Sequence, residues 1–396
     1  MPLERQSGLT KLQPACVLVV GLGAMGSAAA LRLARRGARV IGFDRFAPPH
    51  PFGSSHGDTR VTRLAIGEGE HLTPLAMRSH DLWREIERDS GAHLVNETGL
   101  LIVSSNSNAA QTHVSGFFGN TIAAAEKFGI SHQHLDPAQI RARWPQFSVR
   151  EDEFGYFEPK AGFVRPEACV RAQLKLAEDR GAEFHSNEPV LSFEAAPDRV
   201  RIETVTGTYR ADKVIVAAGA WLPQLVPEYA ALFRVYRQVQ LWFEVTDAAA
   251  FAPERFPVFI WELQNSTHGL YGFPAIDGEK AIKIASEEFS STTTPEQINR
   301  EVSPEEIAAV YELVKRSLPG VGPRCTRATT CLYTVTPDFG FVIDTHPESE
   351  RIIIASPCSG HGFKHSPAIG EALADLALGQ PPRFDLSPFR LARLLL

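Results

Sequence analysis

Three glycines and an aspartate mark the first place where this chain is equipped for chemistry. Gly21, Gly23 and Gly26 stand in the spacing G-x-G-x-x-G with Met25 at a variable place, and Asp44 follows at about the 20-residue distance of a dinucleotide fingerprint. In such a turn the first glycine permits the bend, the second leaves room for a pyrophosphate, and the third lets a helix pack close to a strand. The helix N-terminus turns free amides and its positive dipole end toward the phosphates. A carboxylate at Asp44 accepts hydrogen bonds from the adenosine ribose; it disfavours the 2′-phosphate of NADP and leaves NAD and FAD both open. A second chemical group follows at once. Ser54, Ser55, His56, Asp58, Arg60 and Arg63 crowd a loop broken by Pro48, Pro49, Pro51 and Gly53. Such a loop either runs back over a bound cofactor, binding anions and polarising a ring, or is a solvated surface loop.

The elements that must position these groups follow from the pattern of apolar residues. Val17 to Val20 is short and unalternated, as expected of a strand buried on both faces of a parallel sheet. Ser27 to Arg36 carries Ala and Leu at helical spacing up to Gly37, and Arg39 to Phe43 makes the next strand. Helices are predicted at Leu72–Asp89, at the end of Asn106–Phe128 after a polar loop, and at Leu135–Trp144, where Asp136 caps and Pro137 opens the first turn. More are predicted at Pro166–Arg180, Pro295–Arg300, Pro304–Leu318 and Ser366–Leu378. Short antiparallel strands are predicted around Phe184, Val190 and Phe193, at Val200–Glu203 and at Thr208–Ala211. The run KVIVAAGAW, Lys213 to Trp221, reads as a buried strand that ends in small residues, Ala218 and Gly219. That form suits backbone packed against a ligand, and equally a plain core strand with a turn. Further strands are predicted at Leu100–Val103, Arg237–Glu244, Val258–Ile260 and Gly269–Phe273, and Phe154–Phe163 restarts extended structure. Ala281–Ala285, Cys325–Thr336, Gly340–Asp344 and Arg351–Ala355 complete the set.

The expected fold class is α/β, α+β overall. A Rossmann-like dinucleotide domain made of residues 1–95, 155–228 and 335–396 is interleaved with an antiparallel-sheet substrate domain made of 96–154 and 229–334. The chain has 396 residues, 44% of them apolar, enough for two cores. With 40 basic against 46 acidic residues and a net charge of −6, it has no basic footprint for nucleic acid or an anionic membrane. Met1 to Gln13 lacks a signal-peptide core, no apolar run approaches the ~20 residues that span a bilayer, and the tail Leu394 to Leu396 is not an SKL address. A cytoplasmic location is the expectation. Cys16, Cys169, Cys325, Cys331 and Cys358 are odd in number with no CxxC pair, which suits a reducing compartment and predicts neither a disulfide frame nor a metal site.

GLGAMG, GSSHGDTRVTR, VAAGAW, YGFP, CLYTVTPD and SGHGFK, in that order over nearly the whole chain, resemble the monomeric sarcosine oxidase and N-methyltryptophan oxidase family of flavoenzymes. The resemblance implies FAD rather than NAD. It also implies a monomeric oxidase of secondary or N-methylated amino acids that forms an imine and reduces O₂ to hydrogen peroxide. Cys331 is then the residue joined to the flavin by a thioether, a thiolate reaction that needs a nearby positive group. Tyr333 shares its side of the strand and, with Tyr271 of YGFP, belongs to the implied active site. His56 and Arg60 are placed over or beside the flavin, and Arg63 and Lys364 on the substrate carboxylate. Gly360, Gly362 and Phe363 are placed near the pyrimidine edge of the ring, and Val190 joins Ala218 and Gly219 in contact with the cofactor. Lys283, in AIKIAS, matches a lysine associated with oxygen activation, where a fixed positive charge stabilises superoxide.

The chain departs from that pattern at Glu287, where the family carries a histidine, with one extra residue between YGFP and Lys283. Either Glu287 is an exposed acid at a strand end, or it enters the site and welcomes a second cationic or hydroxylated group on the substrate. The alternatives kept open are an oxidase of glycated or cyclic amino acids, a flavin dehydrogenase serving a carrier, an NAD enzyme, and a flavin-binding protein without turnover.

Overall fold

β-branched, unalternated segments end up where both faces of a sheet are covered, and Cys16–Val20 lies in the middle of such a sheet. It pairs in parallel with Arg39–Phe43 on one side and with Lys213–Val216 on the other. Glu183–His185 and Ser349–Ser356 extend the parallel array outward, and Val342–His346 closes one edge antiparallel. This computed structural model describes residues 15–105, 114–263 and 269–395. The expectations placed on Met1–Gln13, on the polar loop 106–113 and on Leu396 lie outside that range.

Helices Ala24–Arg35, Thr73–Ser90, Pro166–Glu178 and Ser366–Ala377 cover one face of the six-stranded sheet. Gly370 makes this close packing possible, since a Cβ there would fall 2.6 Å from the Ala28 backbone. The other face carries Val190–Ala195, Val200–Thr204 and Thr208–Ala211, a small antiparallel sheet packed through Val200, Ile202 and Ala211.

A nine-stranded sheet forms the second layer system. Arg234–Val245 and Val321–Val335 are its long antiparallel pair, and Ala281–Ser286, Leu270–Gly272 and Val258–Trp261 follow in order. Leu100–Ser105 joins Val258–Trp261 in parallel and Glu153–Glu158 antiparallel. The interior between this sheet and helix Pro304–Ser317 is filled by aromatic and branched side chains such as Phe243, Phe256, Phe259 and Trp261. Among the described residues no helix is long and apolar enough to cross a membrane.

Two expectations change. Phe184 belongs to the parallel sheet beside Arg39–Phe43, and only the strands from Val190 onward are antiparallel. Local alternation carries no information about which edge a three-residue strand joins. Pro295–Arg300 is a single turn, with the amides of Gln297 and Ile298 both donating to the Thr294 carbonyl, and no helix forms within it. Six residues give too few hydrogen bonds to propagate a helix, and the side chains of Glu296 and Arg300 are instead held by other segments.

Candidate active site

The glycine turn lies between the first strand and its helix. Gly21 has φ +87°, and a Cβ there would sit 2.5 Å from the Ala217 carbonyl oxygen. A Cβ on Gly26 would fall 1.7 Å from the Gly21 oxygen, whereas at Gly23 the nearest atom is Ser55 Oγ at 3.4 Å. The first and third glycines are therefore fixed by packing, and the second leaves space on the cavity side. The helix starts at Ala24, three residues earlier than its apolar spacing predicts. It has no side-chain cap at Gly23 and no acid in its first turn; Ser55 Oγ accepts the Ala24 amide at 3.2 Å, and the positive dipole end favours an anion.

Asp44 is buried, and its carboxylate accepts the amides of Leu22 at 2.8 Å and Phe46 at 2.9 Å. It thus pins the turn as well as facing the cavity, a role its position in the sequence does not announce. Gly21, Gly23, Met25 and Asp44 line one end of a long cavity, together with Val190, Ala218 and Gly219. This cradle of backbone and small residues, at a helix N-terminus, fits the ADP part of a dinucleotide.

The loop after Asp44 runs from that end to the other. Ser54, Ser55 and Arg60 line the cavity. Arg60 donates to the carbonyls of Ser54 (2.7 Å) and Thr59 (2.8 Å) and stands 3.5 Å from Cys331 Sγ. Burial pushes the Cys331 thiol up, and Arg60 is the strongest influence pulling it back toward the thiolate. Lys283 donates to the carbonyls of Gly57 and Thr59, both at 2.7 Å, with Phe273 and Trp242 beside its ammonium. Burial, then Arg60, push Lys283 well below the ordinary lysine range. The same burial, with Arg60 and Lys283, pushes His56 down to about 3, so its imidazole is neutral. Gly26, His56, Lys283 and Cys331 do not line the cavity themselves and form the layer behind its wall.

At the far end Tyr271 and Tyr333 face each other, hydroxyl to hydroxyl at 3.2 Å. Burial raises both, Tyr271 to about 12. Arg63 is buried, donates to the Ala65 carbonyl at 2.7 Å and is paired with Glu68; its Nε has no partner among the described residues. Lys364 donates to the His361 carbonyl at 2.6 Å, and burial pushes it down to about 8 against the pull of Glu68 and Glu287. A Cβ on Gly362 would fall 1.7 Å from the Pro357 oxygen, which packs this turn tightly under Phe363 and Lys364. Glu287 lines the same cavity, half-buried, and so does Gly360.

Three acids that sequence reasoning passed over complete the site. Glu68 neutralises Arg63, and its place five residues on in the same loop was the available signal. Glu158 is fully buried and accepts the amides of Leu64 (2.6 Å) and Ala65 (3.2 Å) as well as the Tyr156 hydroxyl (2.9 Å), holding the backbone behind Arg63. Glu167, in the first turn of its helix, accepts the amides of Gly57 (2.6 Å) and Asp58 (3.3 Å). Neither of the last two has a local sequence signal. Buried polar atoms without partners among the described residues gather here too, namely His56 Nε2, Thr59 Oγ1 and Gln240 Oε1. Such orphans are rare unless a ligand or water meets them, which fits a polar ring at this end.

A family model described as FAD dependent oxidoreductase matches residues 16–376. The chain is 40% identical over 365 residues to the monomeric sarcosine oxidase of Streptomyces avermitilis, covering 91% of this chain and 93% of that protein. It is 35% identical over 379 residues to the N-methyl-L-tryptophan oxidase of Salmonella heidelberg, covering 95% and 98%. Among solved structures, NikD, an unusual amino acid oxidase essential for nikkomycin biosynthesis, shares the fold with a TM-score of 0.82 at 24% identity, covering 96% and 98%.

Proposed function

The chain belongs to the FAD-dependent oxidoreductase family, and we propose that it is a monomeric oxidase of secondary or N-methylated α-amino acids that releases hydrogen peroxide. One observation carries this reading. A single cavity holds the glycine turn and Asp44 in one part of its wall and Arg63, Lys364, Tyr271 and Tyr333 in another. When bound, FAD supplies the acceptor for a hydride from the carbon beside nitrogen and returns the electrons to O₂.

The protein's part is orientation and charge. In this reading Gly21, Gly23 and the N-terminus of helix Ala24–Arg35 hold the pyrophosphate. Arg63 and Lys364 grip the substrate carboxylate from two directions, which fixes the carbon to be oxidised. Arg63 has an unpartnered Nε to offer, and it yields part of its bond to Glu68 when the substrate arrives. The tyrosine pair closes the pocket against water. Lys283, locked on two carbonyls beside Arg60, places positive charge where oxygen is reduced.

Cys331, with Arg60 at 3.5 Å to favour its thiolate, is the proposed covalent anchor of the flavin. The five free cysteines suit a reducing cytoplasm. Denaturation in acid followed by separation should leave flavin on the native polypeptide and release it from Cys331→Ala. N-methyl amino acids should drive oxygen uptake with one peroxide released per O₂. Dye reduction without oxygen uptake would make the enzyme a dehydrogenase, and a preparation that stays colourless with FAD would end the reading.

A further inference from the structure

We infer that Glu287 selects substrates whose side chain carries a positive charge, N-methylated α-amino acids of the lysine or ornithine type. The inference rests on the oxidase reading above and names the substrate class of that same site.

The placement follows from the strand. In Ala281–Ser286 side chains alternate, so Lys283, Ala285 and the next odd position, Glu287, belong to one face. Lys283 and Ala285 are buried, while Glu287, one residue past the strand end, lines the cavity. Its Oε1 lies 3.3 Å from the point a Cβ on Gly360 would occupy, and the Tyr333 ring lies 3.0 Å from that same point. The carboxylate therefore converges with Tyr333 on one spot of the substrate wall. Tyr271, Tyr333 and Lys364 are among the charged or titratable groups that feel it.

Charge complementarity, group by group, decides what this wall accepts. Arg63, with Glu68 beside it, and Lys364 meet the carboxylate of the substrate, and Glu287 lines the wall beside Tyr333. An α-amino acid poised for hydride loss has an ionised carboxylate and a neutral secondary amine. With an apolar side chain it is a net anion and offers Glu287 nothing to bind. With an ammonium on the side chain it is net neutral, its carboxylate on Arg63 and Lys364 and its cation on Glu287. An acidic side chain meets like charge, the arrangement that excludes a ligand most strongly.

The test uses the flavin-loaded enzyme and Glu287→Gln, which keeps shape and removes charge. Nα-methyl-L-lysine should exceed Nα-methyl-L-norleucine in kcat/KM by about tenfold or more, and the variant should erase the difference. Calorimetry gives a readout without turnover. 6-Aminohexanoate, which carries the carboxylate and distal ammonium of lysine, should bind about tenfold tighter than hexanoate to the native protein and equally to the variant. Equal preference in the native enzyme, unchanged by the substitution, overturns the inference. So does a uniform loss on every substrate with the alkaline limb moved to lower pH, because Glu287 would then be the counter-ion that keeps Lys364 charged. If no N-methyl amino acid is oxidised, the oxidase reading fails by itself, and the two hexanoates still decide the role of Glu287.

Discussion

The two ends of the cavity are built by different means. At the dinucleotide end the wall is main chain: Gly21 against the Ala217 carbonyl, Gly26 against the Gly21 carbonyl, and a carboxylate that holds the amides of Leu22 and Phe46. At the substrate end the wall is charged side chain brought from distant segments, with Arg60 and Lys364 in it and Lys283 behind it, each donating to backbone carbonyls. The first end is rigid because its neighbours are backbone atoms with no room to give. The second keeps its cations buried by supplying hydrogen bonds, and the cost of burial appears as displaced pKa values at Lys283, Lys364 and His56. One end is therefore sensitive to a single methyl group, and the other to charge and pH.

Gly26→Ala should have the largest effect. The added Cβ would lie 1.7 Å from the Gly21 oxygen, so strand, turn and helix must separate. A loss on the order of 3 kcal/mol or more is expected, read as a lower thermal midpoint and a colourless protein. A yellow variant with the native midpoint would break the comparison at its rigid end.

At the other end Lys364→Met should lower kcat/KM on the order of 100-fold while the fold persists, because one of two cations on a buried carboxylate is lost. The pH dependence sharpens this. Burial holds Lys364 at about 8, below the ordinary lysine value, so its charge is present below that pH and disappears as pH rises through it. Hexanoate affinity measured by calorimetry should fall in the same direction, and the slope should vanish in Lys364→Met. A slope that survives the substitution would place the titrating group elsewhere.

This division also explains what could be read from the sequence. A site built from consecutive backbone is local, so GLGAMG and Asp44 gave the turn, its strand and its helix within a few residues. Cys331, Lys283, Tyr271 and Tyr333 sit on strands that read only as apolar alternation, and their chemistry became visible only through resemblance in the order of six motifs. Glu158 and Glu167 escaped because each acts across about 94 to 110 residues of chain by accepting amides, and an acid in a strand or in a first helical turn looks the same whether or not it does so. Phe184 and Pro295–Arg300 depart from their sequence pattern for a related reason. Both are short, and their state is set by a neighbour: the Arg39–Phe43 strand in one case, and Trp221, Gln224 and the Phe52 carbonyl in the other.

The segment around Pro295 offers the smallest test and the closest one. Glu296 accepts from Arg45 at 3.0 Å, from Trp221 Nε1 at 3.0 Å and from Gln224 at 2.7 Å, three residues that line the dinucleotide end. Here charged side chains clasp that end from outside. Its carboxylate is 44% exposed and its Arg45 partner 37%, so water already satisfies much of their charge, and an exposed pair contributes about 0–1 kcal/mol. In a Cys331→Ala background, where flavin exchanges, Glu296→Gln should weaken FAD binding by no more than about fivefold by equilibrium dialysis. A fiftyfold loss would mean that this clasp, and not the glycine turn, closes the dinucleotide end, and the contrast between a main-chain wall and a side-chain wall would no longer hold.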